Sequence, residues 1–298
     1  MTVYNASTKN WKEESIKKLL FLCAFLSILT TLGIIWILGS ESFEFFKEIS
    51  FSDFFGSEWS PLIQPQSFGV FPLVCGTLHI VVISSFFAIP VGLLSAIYLS
   101  EYASNRSRAM IKPTLEVLAG IPTIVYGYFA LTFVTPLLQK IFPSMSVYNS
   151  LSASLVVGIM ILPMVCSLCD DALRAVPSGL RQAGYAMGST STEVSLKITI
   201  PAALSGIVAS FVLAFSRAIG ETMIVALAAG SLPNLTTNPL ESIQTMTAFI
   251  VETGKGDVAV GTVEYNSIFV VAGLLFLITL VINLIANLLL KKYREVYE

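Results

Sequence analysis

Gln182-Ala183-Gly184, then Gly188, then Ile198-Thr199-Ile200-Pro201 punctuate a loop that separates two long apolar stretches. The loop covers about residues 170–200, carries Arg174, Arg181 and Lys197, and is broken by Pro177, Gly179, Gly184 and Gly188. Short helices fit between the breaks, over 180–187 and 191–198. Thr190 or Ser191 suits the N-cap of the second, and Glu193 falls in its first turn, where the helix dipole favours a carboxylate. Gly188 stands where the first helix must end and the chain reverse. Pro201 suits the first turn of the following helix, because the N–H it lacks would be unpaired there anyway. Two short helices joined by a glycine turn make a rigid knob, the shape a membrane subunit needs to receive force from a soluble one.

The stretches on either side of the knob belong to a set of six that lack charge or nearly so: 19–38, 70–100, 117–139, 151–169, 199–240 and 265–290. The chain is 55% hydrophobic and only 12% charged, about half the charged fraction of a soluble domain, and its mean hydropathy is +0.80. Each stretch reaches the roughly 20 residues a helix needs to cross the hydrocarbon core. Helices are expected because they satisfy their own backbone polar groups in lipid. The expected fold is therefore all-α and polytopic, with six transmembrane helices in one domain over 19–290. A tail is expected at each end, 1–18 and 291–298. The first stretch is longer than the apolar core of a signal peptide, and Ser40-Glu41-Ser42 is a poor cleavage site, so it is read as a retained helix.

Orientation follows from the basic residues. The outer connections hold only Lys47, Lys140 and Lys255, and the fifth stretch holds Arg217. The rest of the 17 lie in the tails, in the loop with Arg106, Arg108 and Lys112, and in the knob. Such a bias puts both termini in the cytoplasm of a multi-pass plasma-membrane protein. The outer loops are acidic, and 39–69 mixes acids with Phe43, Phe45, Phe46, Phe51, Phe54, Phe55 and Trp59. An interfacial aromatic belt is the preferred reading of that mixture, and a docking surface for an extracytoplasmic partner is the other. The net charge of −2 gives no reason to expect nucleic-acid binding.

The knob resembles the EAA loop of type I ABC-importer permeases, in which Glu-Ala-Ala is followed by three residues, Gly, nine residues and Ile-x-Leu-Pro. Ala183, Gly188, Ile198 and Pro201 match, whereas Gln182, Gly184 and Ile200 replace Glu, Ala and Leu. Further blocks resemble the permeases of the high-affinity phosphate importer: Gly76-Thr77-Leu78, Pro90-Val91-Gly92, Ala96 to Tyr102, Gly120 to Gly127 and Asp171 to Pro177. The sharpest is Arg217-Ala218-Ile219-Gly220-Glu221-Thr222-Met223, whose Met223, together with residues 241–290, is similar to the PstC type. The resemblance implies a permease subunit for inorganic phosphate. It also implies a second permease of the PstA type, two cytoplasmic ABC ATPases and an extracytoplasmic phosphate-binding protein, with lipid around the membrane domain. ATP and Mg would be held by the ATPases. A permease for molybdate or sulfate, or a stand-alone secondary transporter or channel, is the alternative.

Arg217 and Glu221 are four residues apart and would share one face of a continuous helix. Ionisable groups within a membrane are costly and face the protein interior or a watery path. Two readings follow: an ion pair that locks helix packing, or an arginine on the translocation pathway positioned by Glu221. The resemblance favours the second, and a guanidinium suits an oxyanion. Cys166-x-x-Cys169 invites a metal or redox reading but has no second pair and no nearby histidine, so packing is expected. His79 has no candidate metal partner and is expected to pack. With no Gly-x-x-x-x-Gly-Lys-Ser/Thr loop and no nucleophile–base pair, the chain is not expected to be an enzyme or to hold a cofactor.

Overall fold

The computed structural model describes residues 6–293; the expected tail residues 1–5 and 294–298 lie outside the described residues, as do the side chains of Lys9, Lys12, Lys291 and Lys292. Helix α1 (Ala6–Glu48) begins inside the stretch expected to be a tail. A short hairpin, β1 (Trp59–Ser60) and β2 (Ser67–Phe68), pairs antiparallel with Trp59 opposite Phe68. Then follow α2 (Phe71–Tyr102), α3 (Asn105–Ala119), α4 (Thr123–Gln139) and α5 (Ser150–Ala175). The knob comprises α6 (Ser178–Ala186) and α7 (Ser191–Ala202). After it come α8 (Leu204–Ile219), α9 (Met223–Ala228), α10 (Met246–Lys255) and α11 (Val263–Tyr293).

Four of these, α1, α2, α5 and α11, are unbroken and long and apolar enough to cross a membrane. The other two expected spans are bent: α3 meets α4 at 89° and α7 meets α8 at 69°. The third stretch, 117–139, is thus not one straight helix. Its first residues finish α3, and the chain turns at Gly120-Ile121-Pro122. Pro122 has no N–H to donate and disfavours helical backbone at Ile121 before it, while Gly120 weakens the turn preceding that. The fifth stretch, 199–240, also departs from a single span, because regular helix stops at Ile219, resumes only for α9 and gives way to non-helical backbone before α10.

Helices α2 and α5 form the centre. A Cβ on Gly92 would lie 2.7 Å from Val165 Cγ1, so glycine permits the close backbone approach that packs helices in lipid. Ile80, Ala88, Val156, Ile161, Val165, Ile207 and Ile224 from α2, α5, α8 and α9 fill one core. Pro90 and Pro163 lie inside α2 and α5, tolerated where neighbouring helices cover the freed backbone groups. By contrast, every described side chain of α1 from 13 to 37 is exposed, which leaves an apolar helix facing lipid or another subunit.

The aromatic outer loop corrects the belt reading. Phe45, Phe54, Trp59 and Phe68 are buried with Leu73, Met246 and Phe249 in a second, smaller core. Phe45 meets Phe68 edge-on at 5.4 Å and Trp59 meets Phe249 edge-on at 4.9 Å, the preferred aromatic geometry. Only Phe43, Phe51 and Phe55 remain exposed as belt rings would. The loop folds back onto α10 and α11 because its rings have a protein surface to cover.

Candidate coupling loop and intramembrane arginine

The knob is assembled by short-range hydrogen bonds. At the end of α6, Ser189 N donates to Gly184 O at 3.2 Å and Gly188 N donates to Tyr185 O at 3.0 Å. With Gly188 at φ +81°, this is a Schellman turn, and glycine is the residue that adopts it without strain. Thr190 caps α7: Glu193 N donates to Thr190 Oγ1 at 3.3 Å, and Thr190 N donates back to Glu193 Oε2 at 3.1 Å. That backbone donor, followed by Lys197 and the Thr190 hydroxyl, pulls the Glu193 carboxyl down to about 2.

The matched loop residues divide by role. A Cβ on Gly184 would lie 2.6 Å from Ile198 Cδ1 and 3.0 Å from Val194 Cγ2, so the two helices close on each other where Gly184 has no side chain. Gln182 and Ala183 are exposed, with Tyr185, Met187 and Leu196 beside them on the surface. Met187, at the turn, is 86% exposed. Pro201 sits in the last turn of α7, immediately before the bend into α8.

The basic residues behind the knob counted in the sequence only toward topology, and Asp170 was not singled out there. Asp170, 1% exposed, receives Arg108 Nη2 at 2.6 Å, Arg174 Nε at 3.3 Å and Lys112 Nζ at 3.8 Å. Arg181 Nη2 reaches Glu101 Oε1 at 3.0 Å and Leu173 O at 2.7 Å, and its Nη1 donates to Val176 O at 2.9 Å. The available signal was an acid, Asp170, placed directly at the end of an apolar stretch and flanked by a basic loop.

The two intramembrane charges do not form the expected pair. Helix α8 ends at Ile219 and Glu221 lies beyond it, so the two residues do not share a helical face. Glu221 is buried and its Oε1 accepts from Met223 N at 3.1 Å and Ile224 N at 3.2 Å, while Thr247 donates to its backbone oxygen at 2.6 Å. Gly220 weakens the helix, and a carboxylate that accepts the next backbone donors starts α9 instead of continuing α8. Arg217 is exposed and forms no ion pair among the described residues; its Nη2 approaches only Met160 Sδ, at 3.8 Å. After α9 the chain runs unwound along the start of α5, where Leu151 N donates to Pro239 O at 2.8 Å and Ser150 N to Glu241 O at 3.0 Å.

Cys166 and Cys169 are fully buried free thiols in the main core, and Cys169 Sγ lies 2.8 Å from Ser210 Oγ across the α5–α8 contact. His79 Nδ1 lies 3.4 Å from Ser150 Oγ and links α2 to α5. These are packing roles.

The profile of the family described as "Binding-protein-dependent transport system inner membrane component" matches residues 88–295. The chain is 30% identical to "Probable ABC transporter permease protein YqgH" of Bacillus subtilis (strain 168) over 250 residues, 83% of this chain and 81% of that one. It is 31% identical to the phosphate transport system permease protein PstC of Mesorhizobium japonicum over 289 residues, 90% of this chain and 87% of that one. Among solved structures, an inward-facing MetNI methionine ABC transporter covers 78% of this chain and 100% of its own, with TM-score 0.60 and 19% identity. A bacterial alginate ABC transporter in complex with a pentasaccharide-bound periplasmic protein covers 93% and 95%, with TM-score 0.66 and 18% identity. At those identities the structural likeness speaks for the fold, that of type I ABC-importer permeases.

Proposed function

The chain belongs to the binding-protein-dependent transport system inner membrane components, as a permease subunit that is not itself an ATPase, and from that premise we propose that its cargo is inorganic phosphate. The observation that carries this reading is Arg217, an arginine in an apolar part of the chain that is exposed and meets no acid among the described residues. A bare guanidinium in such a place is costly unless something anionic visits it. Its planar donors match a tetrahedral oxyanion. The phosphate transport system permeases PstC among its relatives support phosphate as that oxyanion.

In this reading a second permease of the PstA type completes the pathway, and a phosphate-binding protein delivers the cargo from outside. Two ATPases on the cytoplasmic side hold ATP and Mg. One of them seats on the exposed face of the knob around Gln182, Ala183 and Met187. Both termini are cytoplasmic in this reading, which the distribution of basic residues supports. Glu221 serves by ending α8 where it does, which sets the height of Arg217.

Uptake of radiolabelled phosphate by cells with and without the chain, at low external phosphate, tests the proposal. Chain-dependent uptake that survives excess molybdate or sulfate and stops on ATP depletion is expected. Chain-dependent uptake suppressed by molybdate or sulfate, or no chain-dependent uptake at all, overturns phosphate as the cargo.

A further inference from the structure

We propose that Arg181 is a positioning residue that clamps the knob to the cytoplasmic ends of α2 and α5, so that α6, α2 and α5 move as one body. The proposal rests on the importer reading of the knob. Arg181 projects from α6 and spends one guanidinium on three acceptors from two other helices. Leu173 O, which also accepts Val176 N at 3.3 Å, and Val176 O are carbonyls at the C-terminal end of α5, where the intrahelical ladder runs out. Glu101 lies in the π-helical last turn of α2, Tyr98–Tyr102. The side chains of Arg181 and Glu101 are only 20% and 7% exposed, so water competes little for these bonds. Pushing on α6 therefore pushes on α2 and α5 together, and those two helices already share the most extensive helix–helix contact among the described residues.

The far side of the knob is built differently. Helix α7 reaches α6 through the Gly188 turn and the apolar contact of Gly184 with Val194 and Ile198. Among the described residues its hydrogen bond to α2 is a long exposed hydroxyl contact, Tyr102 to Thr192 at 3.4 Å, and only its last residues, Ile200 and Ala202, pack against the main core. It joins α8 through a π-helical turn, Ser195–Thr199, and the 69° bend. Wide turns of this kind often mark functional sites, and a sharp bend is where a chain absorbs a change of angle. The clamp and the bend divide the work: motion received at the knob enters α2 and α5 rigidly, and the α7–α8 joint takes up the difference. A lysine at 181 would keep the charge but not the forked geometry that serves three acceptors at once.

The test uses the full transporter, purified with its partner subunits, with nitroxide labels at Leu94→Cys on α2 and Gly179→Cys on α6. Leu94 is 67% exposed, and a Cβ at Gly179 meets open space. The exposed native thiols Cys23 and Cys75 are replaced by serine. The distance between the labels is measured without nucleotide and with ATP under turnover, and phosphate carried per ATP hydrolysed is measured on the same complexes in proteoliposomes. With Arg181 present, one narrow distance common to both states is expected. Arg181→Ala and Arg181→Lys are expected to broaden it with ATP and to lower phosphate carried per ATP by roughly tenfold, with hydrolysis retained. Glu101→Gln, which keeps the arginine and its two carbonyl bonds, supplies a milder variant should either substitution at 181 fail to assemble, and it is expected to broaden the distance in the same direction. A distance as narrow with ATP in the variants as with Arg181 present overturns the clamp, as does a parallel fall of hydrolysis and transport. A complex with Arg181 that hydrolyses no ATP counts instead against the importer reading itself.

Discussion

The cytoplasmic rim and the fifth apolar stretch treat arginine in opposite ways. At the rim Arg108 and Arg174 converge on buried Asp170, and Arg181 meets Glu101 and two carbonyls. In the fifth stretch Arg217 is left with a thioether contact, and the nearest acid in sequence, Glu221, is occupied by the backbone donors of α9. A charge that is answered within the chain is committed to architecture. One left bare in apolar surroundings is available to whatever enters from outside the chain, here the proposed oxyanion. The contrast separates two kinds of functional residue that composition alone makes look alike.

The contrast can be broken at either end. The largest effect is expected from Asp170→Asn, which removes the buried charge on which half-buried Arg108 converges and should destabilise the fold by about 3 kcal/mol, the low end for breaking a buried ion pair. Thermal unfolding of the detergent-solubilised complex checks it; a midpoint unchanged from the parent would make the rim charges ornamental. Arg217→Ala comes next. A hydrogen bond to a charged group is worth about 1.5–3 kcal/mol, so phosphate uptake should fall by about a hundredfold while the unfolding midpoint stays put. A loss of stability in step with the loss of uptake would place Arg217 with the rim.

Smaller effects sharpen the comparison within the knob. Thr190→Ala removes the cap of α7 and should cost about 1 kcal/mol, read as faster amide exchange over 190–195 with little change at 178–186. The smallest is a pH response. Glu193 titrates below its usual value, so its contribution is present above about pH 4.5 and is lost only as pH falls toward about 2. A nitroxide at position 187 should therefore show constant mobility from pH 8 to pH 5 and loosen only on further acidification. Loosening near neutral pH would mean that a group other than Glu193 holds the turn.

The knob was readable from the chain because it is made of local rules. Gly188 at the turn, Thr190 at the cap and Glu193 three residues on are contacts between near neighbours, and no distant partner is needed to form them. The six apolar stretches were readable for a similar reason, since length and the absence of charge decide whether a segment suits lipid. The residues of 39–69 misled the belt reading because aromatic rings suit a membrane interface and a packed core equally well. Their place in the second core depended on α10 and α11, some two hundred residues away along the chain.

The charges show the same division more sharply. Helical spacing put Arg217 and Glu221 on one face, yet the helix stops between them, because Glu221 found backbone donors that a continuing helix would have consumed. Asp170, Glu101 and Arg181 were visible as charges but not as members of ion pairs, since their partners come from α2, α3, α5 and α6. The sequence by itself determined that this chain crosses a membrane, which loops are basic, and that a two-helix knob interrupts the apolar stretches. These follow from composition and from interactions within a few residues. Only the tertiary structure decided which charges are paired, where the spans bend and which rings are core, because each depends on groups far apart in the chain meeting at hydrogen-bonding or packing distance.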